Sequence, residues 1–436
     1  MGHPAGPARA CARALRAASP PKARYYYPNG KGSGGCSAAG LVAAYGWLGA
    51  NGVTTANQSF SCLAEGIARA ADAERTIVDW YARRFNMAIS VAAGNMNSGP
   101  NEPACMFTRN ATCVGAALLG GTGMACNSSW TNQNAYPNFE RTDREEPDVV
   151  AFGGPETANT TLPGCPDAAG PKVELAALTG TSDWVQHHGT SFAAPAIASL
   201  TALCKQVSLG VADDETSIRA IMKVAGWFRN PRDFNYSSTS DSFTSQNDWR
   251  DGGGGVVASV VKAMCDGSST GPGGPVVSVT RDPGALQGDV WPFGNSDCAA
   301  CGLNDPPLGG RSVRPLLWGR PSMADATRLY RELSRFTLRE GQRLRAVIAW
   351  DSCPGSADMG SFVPAPIGTD YDLFLLKDGQ LVYSSQSISD VTEGFDVTIA
   401  GGQDGTYQVV KGLPANLGGC DGQGYEPYSY AFAVTQ

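Results

Sequence analysis

The chain has 436 residues, enough for two hydrophobic cores, and with 17% charged residues and 54 glycines it reads as compact and loop-rich rather than disordered. A formal charge of −7 excludes the basic face that a nucleic-acid binder needs, and no stretch reaches the length of a membrane span. Thirteen cysteines fit an oxidising compartment, and their odd number leaves at least one thiol unpaired or bonded to another molecule. Asn-X-Ser/Thr triplets at Asn57, Asn110, Asn127, Asn159 and Asn235 are compatible with a secreted glycoprotein. The opening Met1-Gly2-His3-Pro4-Ala5-Gly6-Pro7 has neither the basic patch nor the apolar core of an export signal, so either that signal lies upstream or the protein is not secreted.

In chain order, residues 8–18 form an alanine-rich helix ended by Ser19-Pro20-Pro21, with His3 just before it and a strand at 22–27 after it. Residues 37–50 read as a second helix closed by Asn51-Gly52, and Val53 to Ser61 as a strand. A helix over 64–86, with Ile67, Ala71, Ile77, Trp80 and Tyr81 on one stripe, leads into Met87-Ala88-Ile89-Ser90-Val91-Ala92-Ala93-Gly94-Asn95. That continuous apolar run suits a central parallel strand covered on both faces, with Asn95 at its carboxyl end, where open α/β sheets place their sites.

Between Asn95 and Ser191 the cysteines 105, 113, 126 and 165 suggest a disulfide-tied surface excursion. The stretch His188-Gly189-Thr190-Ser191-Phe192-Ala193-Ala194-Pro195 then carries a serine into an apolar run through Cys204 that suits a buried helix. A Gly-Thr-Ser triplet alone is read as a helix cap. At a helix N-terminus, however, the unpaired N–H groups and the dipole also stabilise a developing oxyanion, so Ser191 is equally placed for nucleophilic chemistry. His187 and His188 stand too close in sequence to fill a base's position across a groove, and His188 is read as lining the cleft. A helix from Glu215 to Trp227 follows.

The string Gly189 to Pro195 resembles the nucleophile motif of the subtilisin-like serine proteases, the subtilases. Ala92-Ala93-Gly94-Asn95 resembles their oxyanion motif, the strand ending in Asn57-Gln58-Ser59-Phe60-Ser61 their substrate-pairing segment, and Glu146 to Gly153 their Pro-Asp-Val strand, a likeness that implies a structural role for Asp148. The resemblance implies a mostly parallel α/β sheet with helices on both faces over residues 1–265. It implies Ser191 as nucleophile, Asn95 as oxyanion donor, Ser59, Phe60 and Ser61 as the peptide-binding strand end, and Gly189 and Thr190 as the narrow approach to the hydroxyl. His3 takes the base's place ahead of a small-residue helix, but His3-Pro4-Ala5 departs from the family's His-Gly-Thr. The orienting aspartate belongs on a strand well upstream of that histidine, where this sequence has two residues, so no residue is named for it. The reaction implied is cleavage of peptide or protein substrates by a serine endopeptidase needing no cofactor. The alternative is a truncated, weak or inactive pseudoprotease that works as a secreted binding module.

After a flexible Gly/Pro/Ser linker at 266–275, residues 276–436 change to alternating strands at 344–350, 371–376, 380–385, 395–399 and 428–434, with Lys377-Asp378-Gly379 as a hairpin turn. The economical answer is a β-sandwich, similar to the jelly-roll modules appended to secreted proteases. Cys353 with Cys420 is one possible staple, Asp370 and Asp372 one possible structural calcium site, and a monomer is expected.

Overall fold

The computed structural model describes residues 37–60, 68–95, 105, 108–118, 125, 127–129, 147–154, 172–176, 184–207, 214–228, 253–266, 318–319, 330–354, 368–385, 391–416 and 428–435. The expected elements at 8–18 and 22–27, His3, Ser61, and the linker beyond Asp266 lie outside the described residues.

The N-terminal part is built on a six-stranded sheet in the order β1-β2-β3-β4-β8-β7. Its strands are β1 (Thr55–Gln58), β2 (Ala88–Ala92), β3 (Thr112–Ala117), β4 (Val149–Phe152), β7 (Gly226–Phe228) and β8 (Gly255–Val256). All neighbours pair in parallel except β7 with β8. Successive side chains in a strand point to opposite faces, and both faces are covered here. Ile89, Val91 and Cys113 pack against α1 (Ala38–Ala50) and α2 (Ala68–Phe85). Ala88, Val114, Ala116 and Val149 pack against α3 (Thr190–Val207), α4 (Glu215–Ala225) and α5 (Ala258–Asp266). Cys204 and Cys265 form a disulfide that ties α3 to α5.

Helix α1 starts at Ser37, whose hydroxyl accepts the Gly40 N–H, and it packs closely on α2 at Gly49. A Cβ on Gly49 would lie 2.5–2.6 Å from ring carbons of Phe85. Gly49→Ala gains about 1 kcal/mol of helix propensity. It also forces the Phe85 ring, stacked on Tyr81, to shift, at about 1–3 kcal/mol. The overpacking cost wins, so the urea midpoint of Gly49→Ala should fall rather than rise.

Residues 105–118 correct one expectation. The described residues among them are not a surface excursion: β3 is buried along its whole length, and the Cys105–Cys113 disulfide sits in the core. Two of the Asn-X-Ser/Thr triplets are inside as well. Asn110 is 0% exposed, donating to Asp79 O and Ser352 O, and Asn127 is equally buried, so neither side chain is presented for glycosylation in the folded chain. Asp148 is structural: it accepts from the Cys113 N–H at 2.7 Å and pairs with Lys223 at 2.8 Å. Helix α4 stops two residues before Trp227, where Gly226 caps it with its N–H on Lys223 O and lies close against Gly253. A Cβ on Gly226 would lie 2.2 Å from the Gly253 carbonyl oxygen.

The C-terminal part is two antiparallel four-stranded sheets, β10-β15-β12-β13 and β14-β11-β16-β9. The strands are β9 (Trp318–Gly319), β10 (Tyr330–Leu338), β11 (Arg343–Trp350), β12 (Thr369–Lys377), β13 (Gln380–Ser385), β14 (Thr392–Thr398), β15 (Gly405–Asn416) and β16 (Tyr428–Thr435). Leu344, Ala346, Ile348 and Trp350 of β11 meet Leu373, Leu375, Phe395, Tyr407 and Val409 in a core of their own. The opposite face of the same sheet is covered too: Val347, Ala349, Ala431 and Ala433 join the core of the N-terminal part. All eleven residues of α4 are buried between the two parts. Cys353 is disulfide-bonded to a cysteine outside the described residues. Among the described residues there is no cluster of three or more His, Cys, Asp or Glu side chains able to hold a metal, and no helix is long and apolar enough to cross a membrane.

Candidate active site

The carboxyl ends of β1 and β2 and the N-terminus of α3 meet at one place. Gly189 enters it with φ +118°, a conformation glycine adopts without strain, and its N–H donates to Gly153 O at 2.8 Å. Thr190 follows, fully buried: its hydroxyl accepts the Gly94 N–H at 2.9 Å and donates to Asn95 Oδ1 at 3.1 Å. The Thr190 N–H also donates to Asn95 Oδ1, at 2.9 Å. Thr190 thus acts on the groove through Asn95.

These two donors fix the orientation of the Asn95 amide, since a flipped side chain would turn its NH2 onto another N–H. Its Nδ2 donates to no described residue, and the side chain is exposed. The space for it depends on Gly189, where an added Cβ would lie 2.9 Å from Asn95 Oδ1 and 3.0 Å from Nδ2.

Ser191 is the second residue of α3 and half-buried. Its hydroxyl donates to Ser59 O at 3.2 Å, while the Ser59 hydroxyl donates to Ser191 O at 2.9 Å. A reciprocal pair of bonds therefore joins the end of β1 to the start of α3 across 132 residues of sequence. Asn57 Nδ2 donates to the Ser59 hydroxyl at 3.0 Å, and Phe60, 41% exposed, stands beyond it at the rim. The structure thus brings together Ser191, Asn95, Ser59, Phe60, Gly189 and Thr190, while His3 and Ser61 lie outside the described residues. His187, on β6 (Trp184–His187), which pairs with β5 (Val173–Ala176), stacks its ring on Phe192 with centroids 5.6 Å apart.

Behind β1 lies a group that sequence reasoning passed over. Gln58 is buried, with Nε2 donating to Glu74 Oε1 at 2.5 Å and to Phe60 O at 3.1 Å, and Oε1 accepting from the Tyr45 hydroxyl at 2.6 Å. Burial raises the Tyr45 phenol above its ordinary range, and the Glu74 charge adds to the effect. The available signal was the alternation of β1, which turns Ala56 and Gln58 inward together.

Among solved structures, the chain is similar to a lanthipeptide protease, at 15% identity over 61% of this chain and 77% of that one, with a TM-score of 0.44. It is similar to the prenylagaramide maturation protease PagA at 17% identity, over 52% and 67%, with a TM-score of 0.37. A cold-adapted subtilisin-like serine proteinase gives 18% identity, over 46% and 60%, with a TM-score of 0.31. No curated protein sequence matches the chain. The model of the subtilase family matches residues 17–248, more than half of the sequence and the span that carries Asn95, Ser59 and Ser191. The chain belongs to the subtilase family of serine proteases.

Proposed function

We propose that this chain is an endopeptidase of the subtilisin type, cleaving peptide bonds through an acyl-enzyme on Ser191. The observation that carries the reading is the convergence at the head of α3: a hydroxyl at a helix N-terminus, an oriented and outward-facing amide on Asn95, and a strand end at Ser59 whose carbonyl faces the hydroxyl.

In the proposed reaction a peptide adds along the edge of β1, positioned by backbone hydrogen bonds. Ser191 Oγ attacks the carbonyl carbon as its proton passes to a base, the role assigned to His3. The oxyanion takes hydrogen bonds from Asn95 Nδ2 and the Ser191 N–H. Collapse expels the amine with that proton, and water releases the acyl group by the same steps. Asn95 suits its part because an amide donates without titrating. Phe60 and Gly189 border the bound peptide. Peptides or proteins are the substrates, and the paired cysteines support an exported chain in an oxidising compartment. Any calcium is structural and no cofactor enters the chemistry.

Labelling of Ser191 by a fluorophosphonate, read by mass spectrometry on the intact chain, is the direct test. Absence of labelling from a folded chain would reject the peptidase reading and favour a non-catalytic binding protein. In a labelled chain, Asn95→Leu should lower kcat by about 10²–10³-fold with KM little changed, because the only substrate group that Asn95 Nδ2 serves in this reaction is the oxyanion.

A further inference from the structure

The buried group behind β1 has a consequence for how peptides are held. Gln58 has one orientation available. Reversing its amide would bring Oε1 against the Glu74 carboxylate and the Phe60 carbonyl, both acceptors, and would leave the Tyr45 hydroxyl facing an NH2. Tyr45 comes from α1 and Glu74 from α2, so three elements fix a single side chain. That side chain in turn pulls the Phe60 carbonyl inward, immediately after the residue whose carbonyl faces Ser191. The preceding carbonyl, Ser59 O, faces Ser191, so the Gln58 amide and the Ser191 hydroxyl hold two successive carbonyls of the segment that leaves β1. The hydrogen bond made by Ser59 O therefore depends on the amide of Gln58.

We propose that Gln58, held by Tyr45 and Glu74, is a positioning residue for peptide binding, setting the Ser59–Phe60 backbone against which a substrate strand pairs. The proposal rests on the peptidase reading and names a determinant of affinity within it. The chain Tyr45–Gln58–Glu74 touches neither substrate nor Ser191; it acts through the backbone of residues 59 and 60.

The test uses Gln58→Met alone and Gln58→Met combined with Glu74→Met. The first leaves a buried carboxylate without its amide donor. The second removes that penalty and restores a folded chain should the first be unstable. Two readouts are compared in each: the rate of Ser191 labelling by a small fluorophosphonate, which does not reach the strand, and kcat and KM for cleavage of tryptic casein peptides. The expected result is labelling within about twofold of the parent and kcat/KM lower by about tenfold or more, carried by KM, in both variants. Cleavage within about twofold of the parent in a folded variant would overturn the proposal. Recovery of KM in the double variant along with stability would also overturn it, because the group would then be structural only. Loss of labelling in folded variants would assign the group to Ser191 rather than to the strand and overturn it likewise. If the parent chain itself neither labels nor cleaves, the peptidase reading falls first and takes this proposal with it.

Discussion

Ser191→Ala should remove hydrolysis of peptide substrates by about 10⁶-fold while leaving the fold in place. The hydroxyl is half-buried and donates to Ser59 O, a bond whose loss costs about 1 kcal/mol of stability. The Ser59 hydroxyl still donates to the backbone oxygen of residue 191, so the end of β1 stays joined to α3. Peptide affinity should therefore survive, and the alanine variant should still bind a peptide that it no longer cleaves. Measured together, a collapse of kcat with an unchanged peptide Kd and an unchanged thermal midpoint identifies a nucleophile. A parallel loss of binding or stability would identify Ser191 as a packing residue. Adding Asn95→Leu to Ser191→Ala should lower the residual hydrolysis far less than the same change lowers kcat in the parent, since the two residues act as a unit on the same attack.

Much of this site is legible in the sequence because its chemistry is local. The glycine that permits φ +118° at position 189, the alanines that let α3 pack on the sheet, and the apolar run that ends at Asn95 are each written in a few adjacent residues. What the sequence hides is long-range or irregular. Strand β10 was missed because a bulge between Glu332 and Ser334 breaks the alternation, so Leu333 and Phe336 do not share a period of two. Strand β15 was missed because Gly412 and Pro414 read as breakers, although the strand lies centrally in its sheet. In β11 the near-continuous run Leu344 to Trp350, interrupted only by Arg345, was a sign of burial on both faces. Reading it as one strand of an appended module hid the fact that its second face belongs to the core of the N-terminal part. The Gln58 group escaped because a buried glutamine is indistinguishable from an exposed one until its partners, on two different helices, are known.

Arg219→Met should cost about 3–5 kcal/mol, because this one side chain joins the two parts of the molecule. From α4 its Nε pairs with Glu215 at 3.0 Å; one terminal nitrogen donates to Arg109 O at 2.6 Å, and the other to Trp350 O at 2.7 Å and Asp351 at 3.0 Å. Truncation leaves the Glu215 and Asp351 carboxyl groups and the carbonyls of Arg109 and Trp350 without the guanidinium that bonds them in the buried interior. Around it, Asn110 holds Ser352, Ser429 bonds Asp214, Thr216 and Ser217, and Arg345 bonds the carbonyls of Gly226 and Gly253. The sandwich is therefore part of the folding unit, and urea should unfold both parts of the parent in one transition that the variant shifts to lower denaturant. The same site sets a pH dependence. Burial first, and then the neighbouring Asp351 and Asp214, hold the Glu215 carboxyl well above the usual carboxylate range, against the opposing pull of Arg219. Glu215 Oε1 is buried without an acceptor or donor in ionised form, whereas a protonated Glu215 donates to Asp351. A carboxyl that binds its proton more tightly when folded stabilises most below its unfolded pKa, and that stability is lost as pH rises through the folded value. Raising the pH above the ordinary carboxylate range should therefore lower the urea midpoint of the parent. Glu215→Gln, which keeps a donor for Asp351 at every pH, should flatten that slope; an equally steep slope in the glutamine variant would place the titrating group elsewhere.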